Sequence, residues 1–236
     1  MTAASPRHAS AATWPRPAAP ALLARAVRTV DRWGLLAGVT GFYGNVLLLV
    51  LLTTPADGPY SWTGPANDTI GIVSTLAMIP VAVRLLTVCG DRPGLGAITS
   101  LAVVAMVGMA AVSMLFVLGV VSFAASVDSY YAGMVFIFGW VFAASLAGRA
   151  SGRLPRQIAN CGAALGAAGL AGAVLLLAMS APIPAYSLIS GVAFGAKVLT
   201  GIAVALYPVW LIVLSYRLPG HLADLAGSAS RPSEVV

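Results

Sequence analysis

Charged residues are scarce in this sequence. They make up 8% of the 236 residues, and the mean hydropathy is +0.93. Soluble domains carry about 25% charged residues, so a water-soluble fold could not cover its surface with so few. The composition therefore excludes a soluble protein and indicates transmembrane helices, which consist of long apolar runs.

Histidine and cysteine are also rare, which limits cofactor chemistry. His8 and His221 both lie in the terminal tails, so the sequence offers no histidine pair for a haem or a metal within the bilayer. Cys89 and Cys161 form no CxxC motif and fall near the predicted cytoplasmic side, where thiols stay reduced. We interpret both as structural and expect no cofactor and no metal.

Familiar catalytic signatures are missing as well. The sequence has no Walker loop, no GxSxG and no acidic cluster inside an apolar run. Phosphoryl transfer and serine hydrolysis therefore have no visible machinery. The net charge of +6 is explained by arginines that flank apolar runs, so we expect membrane lipids and not nucleic acid as partners.

What the sequence does have is a series of apolar runs, each of which reaches the ~20 residues needed to cross a bilayer. They predict an all-α fold, a polytopic bundle of six transmembrane helices. The third run is long, but two spans and a turn would need more residues than it has. The predicted spans are residues 33–53, 69–90, 97–125, 129–148, 158–180 and 187–215.

The arginines test this span count. All twelve fall on one side of the six-span arrangement, whereas the intervening loops carry Asp57, Asp68 and Asp128 and no basic residue. By the positive-inside rule the arginine side is cytoplasmic. We therefore predict a bacterial cytoplasmic membrane protein with both termini inside.

The tails flank this membrane domain, which we place at residues 33–216. Residues 1–32 are predicted to be a cytoplasmic tail with a short interfacial helix over 22–32, because apolar and arginine side chains take opposite faces there. An ordinary extension of the first span is the alternative. Residues 217–236 are predicted to be a flexible cytoplasmic tail.

Lys197 is the only lysine and lies inside the apolar run "VAFGAKVLTGIAVAL". It is predicted about 15 Å deep, near the bilayer centre. A charge there costs about 2.5–3.5 kcal/mol, which makes an intramembrane lysine a functional candidate. Because its helical neighbours are small or weakly polar, we expect its face to turn into the bundle. A neutral or snorkelling lysine is the alternative.

Other polar and aromatic residues complete a candidate site. Asn45 is deep in the first span, where an interhelical hydrogen bond or a ligand contact would explain it. Asp68 and Asp128 precede predicted helices, so they suit either helix capping or an outward-opening cavity. The predicted ligand-binding residues are Lys197, Asn45, Asp68, Asp128, Tyr131 and Trp140.

Glycine and proline mark packing features. Gly162 and Gly166 form a small-xxx-small pair, which favours close helix packing within the bundle or, alternatively, a homo-oligomer or membrane-partner face. Pro80 and Pro208 remove backbone hydrogen bonds and kink their helices.

The stretch from 128 to 174, with the turn "SGRLPR" at residues 151–156, resembles an uncharacterised family of small six-span bacterial integral membrane proteins. The resemblance is specific only around that turn. It implies a six-helix bundle and brings no catalytic residues.

Three functions compete at this point. The first is binding or transport of a small apolar or amphipathic molecule through an outward-facing cavity. The second is a membrane enzyme for a lipid or terpenoid substrate, with Lys197 and an outer aspartate as acid and base. The third is an accessory protein that packs with a membrane partner. The missing catalytic set favours the first.

Overall fold

The structure is a computed structural model that describes residues 20–54, 62–90, 92–180 and 186–229. These residues form six α-helices, each long and apolar enough to cross a membrane, which confirms the predicted all-helical, multi-pass architecture. The helices are α1 (Pro20–Thr53), α2 (Thr63–Cys89), α3 (Pro93–Val117), α4 (Phe123–Ala150), α5 (Arg156–Ser180) and α6 (Tyr186–Ala229).

The helices pack in chain order around a ring. Each contacts its neighbours in sequence, α6 closes the ring on α1, and α2 also touches α4 across it. Fully buried side chains such as Leu85, Met106, Phe138 and Leu214 form the core. We call the end where α1 begins and α6 ends the tail end, and the opposite end the far end.

Both outer helices are longer than the sequence analysis predicts. Residues 22–32 are the first part of a continuous α1, and Ala26 and Val30 are completely buried there. The Ser215 hydroxyl of α6 donates a hydrogen bond to the Val30 carbonyl at 3.2 Å. This segment therefore packs against α6, which favours an extension of the first span over a separate interfacial helix.

The C-terminal segment shows the same effect. Helix α6 continues to Ala229, and Leu218 and Leu222 are buried. The prediction of a flexible tail from residue 217 is therefore wrong as far as Ala229, because apolar side chains continue the buried face of α6 beyond the arginine that suggested its end.

The third apolar run is divided earlier than predicted. Gly119 has a positive φ of 74°, and the backbone N–H groups of Gly119 and Val120 donate to the carbonyls of Phe116 and Leu115. This is a Schellman cap, which ends a helix with a glycine in the left-handed conformation. Since glycine is neutral in hydropathy, the apolar run conceals the turn, and α4 begins at Phe123 rather than at 129.

The "SGRLPR" turn between α4 and α5 uses the same device. Gly152 has φ +67°, and the N–H of Arg153 donates to the Gly148 carbonyl at 3.1 Å. Leu154 is buried over Gly148, where any added Cβ would collide with it. The Arg153 guanidinium donates to the Val88 carbonyl at 3.0 Å and so ties the turn to α2.

The glycines of α5 serve contacts within the chain. A Cβ added at Gly166 would lie 2.5 Å from the backbone nitrogen of Phe142 in α4, and one at Gly162 would lie 2.8 Å from Trp210 Nε1 in α6. Small residues let helices approach this closely in membranes. The alternative in which Gly162 and Gly166 form an oligomer or partner face is not supported, because both are already covered.

Candidate functional site

A cavity opens at the far end of the bundle, and we call it the far-end cavity. Helices α1, α2, α3, α4 and α6 line it, and its volume is about 380 Å³. Small-molecule sites in proteins span about 300–1,000 Å³, so the space suits a small ligand. Its walls are mainly apolar, with polar side chains interspersed. The lining residues used below are Asn45, Asn67, Asp68, Gly71, Tyr131, Val204, Tyr207 and Pro208.

Asn45 lines the cavity because α1 and α6 approach very closely. Gly38 and Gly41 lie on the same face of α1 as Asn45, and added Cβ atoms there would meet Pro208 at 2.8 and 3.0 Å. The Asn45 side chain amide donates a hydrogen bond to the Val204 carbonyl of α6 at 3.2 Å. This confirms an interhelical hydrogen bond at Asn45.

Pro208 explains why that carbonyl needs a partner. In an α-helix the N–H of residue 208 would donate to the carbonyl of residue 204, but proline has no N–H. The carbonyl of Val204 is therefore released from its helix bond, and Asn45 supplies the missing donor. Two features that the sequence analysis treats separately, Asn45 and Pro208, form one unit.

Tyr207 contributes a buried polar group to the cavity wall. Its side chain is 8% exposed, and its hydroxyl has no hydrogen-bond partner among the described residues. The ring is held edge-on by Phe138, with centroids 6.0 Å apart, and stacked on Trp210 at 5.9 Å. Trp210 is itself anchored by a hydrogen bond to the Ile158 carbonyl at 3.0 Å.

Asp68 is the carboxylate among the described lining residues, and it lies toward the mouth of the cavity. It is half-buried, and Asn67 provides a side-chain hydrogen bond to it. Asn67 in turn lies close to Gly44 of α1. Helix α2 begins at Thr63, so the expectation that Asp68 caps this helix is wrong. Its charge instead gives the cavity mouth a negative group.

Asp128 also differs from its prediction. Helix α4 begins at Phe123, and Ser122 is its N-cap, accepting a hydrogen bond from the N–H of Ala125 at 3.3 Å. Asp128 therefore lies inside α4, is exposed, and is not among the residues that line the cavity.

Trp140 is likewise outside the cavity, although Tyr131 in the same helix lines it. The Trp140 side chain is completely buried in the core, and its Nε1 has no partner among the described residues. The aromatic content of the fourth span is thus divided between the cavity wall and ordinary packing.

Lys197 is exposed and lies outside the far-end cavity. The expectation that its face turns into the bundle is wrong, because the buried positions of α6 are its neighbours Ala196, Thr200 and Ala203. These small residues pack against α5, where a Cβ added at Gly172 would lie 2.9 Å from the Ala196 carbonyl. Lys197 is one position, about 100°, around the helix from Ala196.

The separation of Lys197 from Asp68 bears on the enzyme alternative, which requires the two side chains to act together. They do not share the cavity that Asp68 lines. Among the described residues, no group of three or more histidine, cysteine, aspartate or glutamate side chains is arranged to hold a metal ion.

Sequence reasoning missed Tyr207, Asn67 and Gly71 as cavity residues. The signal for Tyr207 is its position directly before Pro208, and the signal for Asn67 is its position directly before Asp68. No sequence signal distinguishes Gly71 from the other glycines.

Searches of protein families, of curated proteins and of solved structures find no match to this chain.

Proposed function

We propose that this protein binds or transports a small amphipathic molecule in the far-end cavity. The observation that carries the proposal is the combination of apolar walls with the buried, unpartnered Tyr207 hydroxyl. A buried polar group without a hydrogen bond costs about 1–3 kcal/mol, and a ligand atom that bonds to it removes this cost. Ligand pockets typically have this composition, apolar with a few fixed polar groups.

The charge of the cavity narrows the ligand class. Asp68 lies at the mouth, whereas Lys197 is elsewhere. A ligand with a cationic or hydrogen-bond-donating head and a short apolar body would complement this arrangement, and a carboxylate would be repelled by Asp68. This differs from the sequence-based expectation of an anionic ligand on Lys197.

We also propose that the far end faces the outside of a bacterial cytoplasmic membrane, with both termini inside. The support is the charge distribution of the bundle. Arginines such as Arg28, Arg149 and Arg156 lie at the tail end, whereas Asp68 and Asp128 lie toward the far end. Positive charge on one side of the spans is typical of the cytoplasmic side.

A pair of matched glycine variants tests the binding proposal. An added Cβ at Gly71, in the cavity wall, meets no described atom within 4 Å, and the same holds for Gly108 in α3, which is exposed and does not line the cavity. Gly71→Leu therefore fills the cavity without displacing the bundle. Gly108→Leu makes the same chemical change outside it.

Alkyl amines, alcohols and carboxylates of equal chain length would be compared by thermal stabilisation of the purified protein. A ligand at 100 times its Kd adds about 2.7 kcal/mol to the free energy of unfolding. We expect amines or alcohols to raise the Tm of the wild type and of Gly108→Leu, but not of Gly71→Leu. Equal shifts in both glycine variants, or no shift in any protein, would refute the proposed site.

Tyr207→Phe adds an independent check on the same proposal. Without ligand the variant should be as stable as the wild type or more so, because a buried hydroxyl without a partner is removed. Stabilisation by the ligand should fall. A clear loss of stability without ligand would show that the hydroxyl has a partner within the protein.

A further inference from the structure

A second concavity lies between α5 and α6 at the tail end, away from the far-end cavity. Its volume is about 800 Å³, and we call it the tail-end groove. It is lined by Pro155, Gln157, Ile158, Cys161, Ala164, Leu165, Leu206, Val209, Trp210, Val213, Tyr216, Arg217, Gly220, His221 and Asp224.

The apolar part of the groove opens on the outer surface of the bundle. Leu206, Val209 and Val213 line it along α6 and are 48%, 41% and 42% exposed. Cys161 and Ala164, which are also exposed, form the α5 side. In a membrane such a surface contacts acyl chains, so the groove has the position and chemistry of a lipid-chain site.

The polar part of the groove has charges of both signs in a fixed order. Arg217, His221 and Asp224 follow the apolar stretch along α6 and share one helical face at spacings of four and three residues. His221 Nε2 donates to the Gly152 carbonyl at 3.0 Å, which fixes the ring against the α4–α5 turn. No ion pair joins Arg217 or Asp224 to another described residue, so both charges are available.

We propose that the tail-end groove binds a phospholipid whose headgroup carries a phosphate followed by a primary amine, the phosphatidylethanolamine class. From the hydrocarbon outward, such a lipid presents acyl chain, negative phosphate and positive ammonium. The groove presents apolar wall, Arg217 and then Asp224 in the same direction. Each part of the lipid therefore meets its complement, and Asp224 distinguishes this headgroup from a purely anionic one.

Surrounding charges do not account for such a preference. Arg149 and Arg156 are exposed at the same end and attract any anionic headgroup. Neither lines the groove. Selection of an amine-bearing headgroup over an anionic one is therefore the property that only the groove carboxylate provides.

The test is lipid retention by the full-length protein. The protein would be reconstituted in phosphatidylcholine nanodiscs with equal small fractions of phosphatidylethanolamine and phosphatidylglycerol, then released and weighed by native mass spectrometry. We expect phosphatidylethanolamine to be retained about tenfold more than either other lipid. Arg217→Gln should lower retention of both phosphatidylethanolamine and phosphatidylglycerol, whereas Asp224→Asn should abolish the preference between them.

Matched controls keep the test independent of folding. Gly220→Leu places a side chain in the groove and Gly96→Leu places one elsewhere at the tail end, and an added Cβ meets no described atom within 4 Å at either position. Retention should fall only in Gly220→Leu. Arg149→Gln should leave the lipid preference unchanged.

Several results would overturn the proposal. Preferential retention of phosphatidylglycerol would indicate an anionic-lipid site, and equal losses in Arg149→Gln and Arg217→Gln would indicate unspecific surface attraction. A dimer mass in place of bound lipid would mean that a second copy of the chain covers the groove.

Discussion

The hydrogen bond from Asn45 to the Val204 carbonyl allows a quantitative test of how α1 and α6 are joined. Asn45→Leu keeps the approximate side-chain volume but removes the donor. In the wild type this leaves the carbonyl without a partner, because Pro208 has no N–H to offer. In a Pro208→Ala background the helix itself supplies the N–H, so the same substitution should matter little.

The magnitude follows from the environment. Interhelical hydrogen bonds in membrane proteins contribute about 0.6–2 kcal/mol, and an unsatisfied buried carbonyl adds a penalty of about 1–3 kcal/mol. Because Asn45 is half-buried and lines the cavity, water can satisfy part of the loss. We expect Asn45→Leu to lower the free energy of unfolding by about 1–2 kcal/mol in the wild type, and by less than about 0.5 kcal/mol with Pro208→Ala.

The assay is a double-mutant cycle in mixed micelles, with reversible unfolding followed by tryptophan fluorescence. The cycle cancels the packing that Pro208→Ala also removes, since that change is present in both of its arms. Pro80→Ala provides the matched control, because Pro80 also interrupts a helix but its released carbonyl has no contact with Asn45. Asn45→Leu and Pro80→Ala should be additive.

The reasoning would be refuted by equal costs of Asn45→Leu in the wild-type and Pro208→Ala backgrounds. Such a result would mean that Asn45 stabilises α1 independently of the proline. A coupling of the same size with Pro80→Ala would show a general response of the bundle to helix straightening.

Two further predictions concern packing and orientation. Gly166→Leu should lower the free energy of unfolding by about 1–3 kcal/mol or more, because a side chain there collides with the Phe142 backbone, whereas the exposed neighbour Ala167→Leu should change it by less than about 0.5 kcal/mol; comparable effects of the two would contradict the close α4–α5 contact. In a cysteine-free variant of whole cells, Asp128→Cys should react with a membrane-impermeant thiol reagent and Arg149→Cys should not, since the far end is proposed to face outward; the reverse labelling would invert the topology.

The candidate site was only partly predictable from sequence. Asn45, Asp68 and Tyr131 were expected in a cavity and do line it, while Asp128, Trp140 and Lys197 lie elsewhere. Small and weakly polar neighbours suggested an inward face for Lys197. Ala196, Thr200 and Ala203 on the adjacent face are equally small, and the glycines of α5 select that face by allowing closer approach.

The sequence by itself determined the number of spans and the grouping of the arginines. Both follow from hydropathy and charge along the chain, because each crossing needs ~20 apolar residues wherever it packs. Helix ends were harder, since Gly119 ends α3 by its backbone conformation inside an unbroken apolar run. Only the tertiary structure decided which face of each helix is buried and that Asn45 meets the carbonyl released by Pro208. The reason is physical: a membrane helix is apolar toward lipid and toward its neighbours alike, so its pattern does not mark the inner face, and steric fit between helices selects it.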